Sequence, residues 1–149
     1  MFQKMLAAGA LAVVVLASGC ASVQMAPESM DTSAKAYTVK PSKANIYVYR
    51  NEQMGAAIKM PVVLNGKLVG DTAAKTFILL EVDPGSHTLI SKTENDSVIK
   101  LDAVAGRNYF VWQEVKMGMF AARSNLQLVD EATGKAGVGE CRLIASPAF

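Results

Sequence analysis

The chain has 149 residues, and its 15 basic and 13 acidic side chains give a formal net charge of +2. Near-neutral charge without a long run of Lys or Arg argues against binding to nucleic acid through phosphate neutralisation. The sequence has two cysteines, and about 130 residues follow an apolar N-terminal segment, which predicts one ordinary domain that needs no disulfides.

The N-terminus has the pattern of a secretory signal peptide. Lys4 is the one charged residue before the run from Met5 to Leu16, which contains none. This run has the roughly 7–15 residues typical of a signal peptide and falls short of the roughly 20 that a membrane-spanning helix needs. We therefore expect residues 1–19 to be removed from the mature protein.

The segment ends in Leu16, Ala17, Ser18, Gly19 and Cys20, which resemble the lipobox of bacterial lipoproteins. The resemblance implies that a signal peptidase recognises residues 16–19, that the Cys20 thiol carries diacylglycerol, and that the chain is cut before Cys20. Two or three acyl chains, palmitate among them, then hold the protein on a membrane. The alternative is a conventional cut after Ala17 or Gly19, which leaves Cys20 as a free or disulfide-bonded thiol.

The residue that follows Cys20 bears on the choice of membrane. In many diderm bacteria, lipoproteins with Asp at this position stay in the inner membrane, and here the residue is Ala21. The resemblance therefore implies an outer-membrane protein that faces the periplasm, provided that the organism is diderm.

Residues 20–43 are predicted to be the lipidated N-terminus and a flexible linker. From Ala21 to Lys43 the sequence has Ser, Thr, Ala, Pro and scattered charges, with no sustained period of two or 3.6. A flexible linker of this length spans roughly 25–30 Å. A β-domain over residues 44–149 is expected to follow it.

The first predicted strands flank recognisable turns. Asn45–Arg50 is rich in β-branched and aromatic side chains, which indicates a first strand. Asn65 and Gly66 favour a type I′ turn and predict a hairpin between residues 59–64 and 67–70. Asp83–Ser86, with its Pro and Gly, predicts a second hairpin between residues 77–82 and 87–92.

The remaining elements repeat this spacing. Ser97–Ala103 is expected to pair with Asn108–Lys116 across residues 104–107, and Asn125–Val129 predicts another strand. Asp130–Lys135 opens a short helix or forms a turn before a last strand at Cys141–Ile144. Strands that recur about every ten residues favour an all-β fold, which we expect to be a small antiparallel β-sandwich or a partly open barrel.

The order of these motifs resembles a bacterial lipoprotein domain family of unknown function. The shared motifs are Tyr-x-Tyr-Arg, Asn-Gly-Lys, Pro-Gly-x-His, Ala-Gly-x-x-Tyr-Phe-Val and Cys-x-Leu, found here at Tyr47–Arg50, Asn65–Lys67, Pro84–His87, Ala105–Val111 and Cys141–Leu143. More distantly, residues 62–70 and 77–91 resemble the PEGA-type surface β-domain. The resemblance implies a fold and an envelope location, and it implies no activity.

Candidate catalytic and metal-binding groups are sparse. His87 is the one histidine, no recognised zinc spacing includes it, and no nucleophile motif accompanies it. A structural role is therefore expected for His87, with no metal and no cofactor. Six carboxylates in or beside strands are interpreted as the solvated face of a sheet, against the alternative of a glycosidase pair: Glu81, Asp83, Glu94, Asp96, Asp102 and Glu114.

The link between two strands at residues 117–123 is unusually apolar. Met117, Met119 and Phe120 either fold back into the core or form an adaptable surface for a protein or lipid partner. Cys141 is expected to be a buried thiol. Two functions stay open: a non-catalytic, membrane-anchored module that binds envelope protein or glycan, and a small envelope hydrolase acting on glycan or peptide.

Overall fold

A computed structural model describes residues 22–145, which fold into two packed β-sheets and two helices. The predicted β-sandwich and its short C-terminal helix are confirmed, and the sandwich is open at its sides. The elements are α1 Glu28–Ala34, β1 Ala44–Arg50, β2 Met60–Leu64, β3 Lys67–Thr72, β4 Thr76–Val82, β5 Gly85–Lys92, β6 Asp96–Ala103, β7 Asn108–Met117, β8 Ala122–Val129, α2 Glu131–Gly139 and β9 Arg142–Leu143.

The larger sheet is mixed. Its order is β8-β7-β1-β4-β9, and the other sheet has the order β3-β2-β5-β6. Most neighbouring strands are antiparallel as expected, but β1 pairs parallel with β7, and β4 pairs parallel with β9. Every residue of β1 is buried, because this strand is covered on both faces, as parallel strands usually are.

One predicted hairpin is confirmed and two are wrong. β2 and β3 pair across Asn65 and Gly66, whose φ angles are 50° and 83°, as a type I′ turn requires. β4 and β5 lie in different sheets, as do β6 and β7. The turns at residues 83–86 and 104–107 therefore carry the chain from one sheet to the other, and the true hairpins are β5–β6 and β7–β8.

The prediction of a flexible linker over residues 20–43 is wrong from Met25 onward. Met25 forms a β-bridge with Ile144, and Ala26 and Ala34 are buried. α1 is held by the Tyr47 hydroxyl, which donates to the carbonyl of Ala34 at 2.7 Å. The sequence conceals this packing because the few buried residues of the segment follow no single period.

Alternation along β1 divides the apolar residues between two cores. Ile46 and Val48 point between the sheets, where they pack in a cluster with Val62, Ile78, Leu89 and Val111. Tyr47 and Tyr49 point to the outer face of the larger sheet, where they pack with Phe77 and Phe110 beneath the helices. The Tyr47 and Phe110 rings are stacked with centroids 5.1 Å apart.

A chain of buried polar side chains also crosses between the sheets. Thr72 donates to Gln113 Oε1 at 2.5 Å, and Gln113 Nε2 donates to Ser91 Oγ at 2.6 Å. The hydroxyl of Ser124 completes the chain at 2.6 Å from Ser91 Oγ. Because such bonds are directional, they fix how one sheet sits on the other.

Candidate functional site

The apolar link predicted at residues 117–123 is the tip of the β7–β8 hairpin. β7 pairs with β1 only as far as Trp112, and it continues five residues further to Met117. At about 3.4 Å per residue, the hairpin extends roughly 17 Å past this last pair. Met117, Met119 and Phe120 are 74%, 82% and 90% exposed at its end. They therefore form an outward surface and no part of the core.

The tip is held in place by Glu94 from the neighbouring β5–β6 turn. Its carboxylate accepts hydrogen bonds from Ala121 N and from Arg123, both at 3.1 Å. The Arg123 guanidinium, together with the backbone N–H groups of Ala121 and Phe120, lowers the pKa of Glu94. A Cβ at Gly118 would overlap both Ala121 O and the carboxylate, so glycine is needed there. The exposed side chains thus stand on an ordered turn.

The β1–β2 loop adds Met54, which is 52% exposed, to the same end of the sandwich. Its neighbour Gly55 lies against β7, since a Cβ there would be 3.2 Å from Val115 Cγ1. The loop is fixed by Arg50, whose fully buried guanidinium donates to the carbonyls of Ile58 at 2.7 Å and Gly55 at 2.5 Å. Burial lowers the pKa of Arg50.

We call Met54, Met117, Met119 and Phe120 the apolar end of the sandwich. Large exposed apolar groups that share one end of a domain are typical of contact surfaces. Met54 was missed in the sequence because residues 51–58 have no periodic pattern. Glu94 is one of the six carboxylates interpreted as the solvated face of a sheet, with a glycosidase pair as the alternative. Its position as the support of the tip depends on the β5–β6 turn.

The first described residues share a cavity with a turn at this same end. Ser22, Val23 and Met25 line a cavity of about 340 Å³ together with the β3–β4 turn at residues 73–76. That turn lies at the end of the sheet where Thr76 pairs with Arg50, which is also the end toward which β7 extends. Cys20 and residues 16–19 lie outside the described residues.

His87 lies at the opposite end of the sandwich, where it forms a hydrogen bond to the β2–β3 turn. Its Nδ1 is 2.8 Å from Asn65 Nδ2, and its Nε2 is 2.6 Å from the carbonyl of Asp83. This pattern assigns the proton to Nε2, so that Asn65 donates to the ring and the ring donates to Asp83. The structural role predicted for His87 agrees with these contacts.

The six candidate carboxylates are distributed over the surface. Five of them form ion pairs within 4 Å, and these pairs are Glu81–Lys40, Asp83–Lys43, Glu94–Arg123, Asp96–Lys92 and Glu114–Lys116. Asp102 is exposed on β6. These contacts fit the predicted solvated face of a sheet. Among residues 22–145, no group of three or more His, Cys, Asp or Glu is arranged to hold a metal ion.

Cys141 lies just after α2 and is buried, as expected. Its Sγ donates to the carbonyl of Arg50 at 3.6 Å, and burial raises the pKa of the thiol to about 12. Cys141 is the one remaining cysteine in a Cys20→Ser variant. In that variant we expect N-ethylmaleimide at pH 8 to react about 10³-fold more slowly with the folded protein than with the urea-unfolded protein, because the thiolate is the nucleophile. Similar rates by mass spectrometry would contradict this burial.

Neither helix in the described part of the chain is long and apolar enough to span a membrane.

The structure is an open β-sandwich with one ordered apolar end, and comparison with known protein families shows which family it belongs to. Residues 40–125, more than half of the chain, match the family described as "Protein of unknown function (DUF2846)", and the chain belongs to this family. The predicted membership in a family of unknown function is confirmed.

A relative and the solved structures add little about function. An uncharacterized protein of Haemophilus influenzae is 31% identical over 150 residues, and the alignment covers 97% of this chain and 89% of that protein. No solved structure matches the chain. The more distant PEGA-like resemblance stays a prediction.

Proposed function

We propose that this protein is a lipid-anchored, non-catalytic module of the bacterial cell envelope that acts through the apolar end of its sandwich. The observation that carries the proposal is the exposure of Met117, Met119 and Phe120 on a turn that Glu94 and Gly118 hold in order. An ordered turn that presents apolar side chains to solvent favours a contact surface, because burying the same groups would stabilise the fold.

The lipid anchor is supported by the sequence from Met5 to Cys20. The chain enters the fold directly, through the bridge between Met25 and Ile144, so a lipid on Cys20 holds the domain against the membrane. Ala21 supports an outer-membrane location that faces the periplasm. The alternative function, a small envelope hydrolase, receives less support because five of its six candidate carboxylates are engaged in ion pairs.

Cys20→Ser tests the anchor. Cells that express this variant and are grown with radioactive palmitate should contain an uncut, unlabelled precursor, because the thiol that accepts diacylglycerol is gone. The matched control is Cys141→Ser, which changes the other cysteine and should be labelled and cut like the wild type. Label that survives in the Cys20→Ser protein would contradict the anchor.

A further inference from the structure

The place where the chain enters the fold and the position of the tip together indicate what the apolar end contacts. We propose that Met54, Met117, Met119 and Phe120 insert into the surface of the same lipid layer that holds the acylated Cys20. The inference rests on the lipid anchor proposed above and names the partner of the apolar end as phospholipid.

The first argument is the length of the tether. Ser22 is only two positions after Cys20 in the sequence, and a fully extended chain of this length spans at most about 7 Å. Ser22 lines a cavity with residues 73–76, at the end toward which the β7–β8 hairpin extends. Because Ser22 lines the same cavity as this turn, a lipid on Cys20 places the membrane within reach of this end of the sandwich.

The second argument is lateral spacing. The tip continues β7, and the β3–β4 turn leads into β4. In the sheet, β1 lies between β7 and β4, so the two strands are two strand spacings, or about 10 Å, apart. The anchor and the tip are thus close enough to meet one flat surface together. Because the tip extends beyond the last β1–β7 pair, it reaches the lipid without any change of fold.

The third argument is chemical. Phe and Met are the side chains that interfacial segments bury at the boundary between headgroups and acyl chains. The cations near the tip each face a carboxylate: Arg123 lies 3.1 Å from Glu94, and Lys116 lies 3.5 Å from Glu114. The tip itself therefore carries little net positive charge, so apolar burial drives the contact and anionic lipid is not required there.

The test measures the depth of a single tryptophan in the full, lipidated protein. The natural Trp112 is first replaced in a Trp112→Phe parent. This change breaks no hydrogen bond among residues 22–145, because the buried indole Nε1 has no partner there. Phe120→Trp then places the probe at the tip. Val104→Trp, which is 52% exposed in the opposite-end turn between β6 and β7, is the matched control.

Each variant is reconstituted in vesicles of phosphatidylethanolamine and phosphatidylglycerol with brominated acyl chains, which quench tryptophan on contact. We expect the emission of Trp at position 120 to fall at least about two-fold, because interfacial side chains reach roughly 5–10 Å into the lipid. Emission of Trp at position 104 should stay unchanged. Neutral phosphatidylcholine in place of phosphatidylglycerol should give the same result.

Three outcomes would overturn the proposal: position 120 unquenched in protein that floats with the vesicles, equal quenching at both positions, or quenching that needs phosphatidylglycerol. The first would assign the apolar end to a protein or glycan partner and leave the anchor intact. Failure of the anchor itself is distinguishable, because the wild-type protein would then not float with the vesicles and would behave like Cys20→Ser.

Discussion

Gly134→Ala is expected to lower the free energy of unfolding by about 3 kcal/mol. This loss is expected even though alanine is more favourable than glycine inside a helix by about 1 kcal/mol. The reason is the close approach of α2 to the larger sheet. A Cβ at Gly134 would overlap Cβ and Cγ of Phe110 and lie 2.6 Å from its Cδ1. Phe110 cannot move aside, because its ring is stacked on the buried Tyr47. Urea unfolding followed by circular dichroism measures the loss.

Gly139 provides the matched control for this effect. It lies at the end of the same helix, and a Cβ there would meet nothing within 4 Å. Gly139→Ala should therefore leave stability unchanged or raise it by a few tenths of a kcal/mol up to about 1 kcal/mol. Equal stability of the two variants would show that α2 does not pack on Phe110 at the distance described.

Arg50→Met is expected to cost about 3 kcal/mol of stability, because it leaves buried carbonyl groups without donors. Arg50 is fully buried, and its guanidinium donates to the carbonyls of Ile58, Gly55 and Thr72. Met has a similar apolar stem and cannot replace these bonds. Arg50→Lys should fail almost as severely, since one ammonium group cannot reproduce the planar fork of guanidinium donors.

Arg123→Met is the matched control for a surface arginine. Its side chain is half exposed and pairs with Glu94, and such pairs contribute about 0–1 kcal/mol. Urea unfolding compares the stabilities, and hydrogen exchange shows where they change. Amides of residues 51–59 should exchange faster in Arg50→Met and not in Arg123→Met. Unchanged exchange in that loop would contradict the role assigned to Arg50.

The sequence predicted local structure more accurately than strand pairing. Asn65 and Gly66 identify their hairpin because two successive positive φ angles require this chemistry. Asp83–Gly85 carries equally strong turn residues, yet the chain crosses to the other sheet there. Turn residues show that the chain changes direction, but they do not show whether the next strand pairs with the previous one. The parallel pairing of β1 with β7 has no local sequence pattern at all.

For the candidate site too, the local composition could be predicted from the sequence and the long-range contacts could not. The apolar composition of residues 117–123 was visible, but whether Met119 and Phe120 point inward depends on contacts with Glu94, which is more than twenty residues away in the chain. Met54 joins them only because Arg50 fixes the β1–β2 loop. α1 was missed for a related reason, since its burial depends on Tyr47 and not on a periodic face of its own.

The short strand β9 and the segment around Met25 also bear on how copies of this protein meet one another. An open strand edge promotes sheet-to-sheet aggregation between copies that meet at high local density, as they would under the proposed lipid anchor. Here the edge beyond β4 is closed by the two-residue β9 and the bridge from Met25 to Ile144. The other edge, at β8, faces β6, where Ser97 accepts a hydrogen bond from Leu126 N at 2.9 Å. At high local density, a strand of a neighbouring copy would therefore find few unpaired backbone groups along the edges of this sheet.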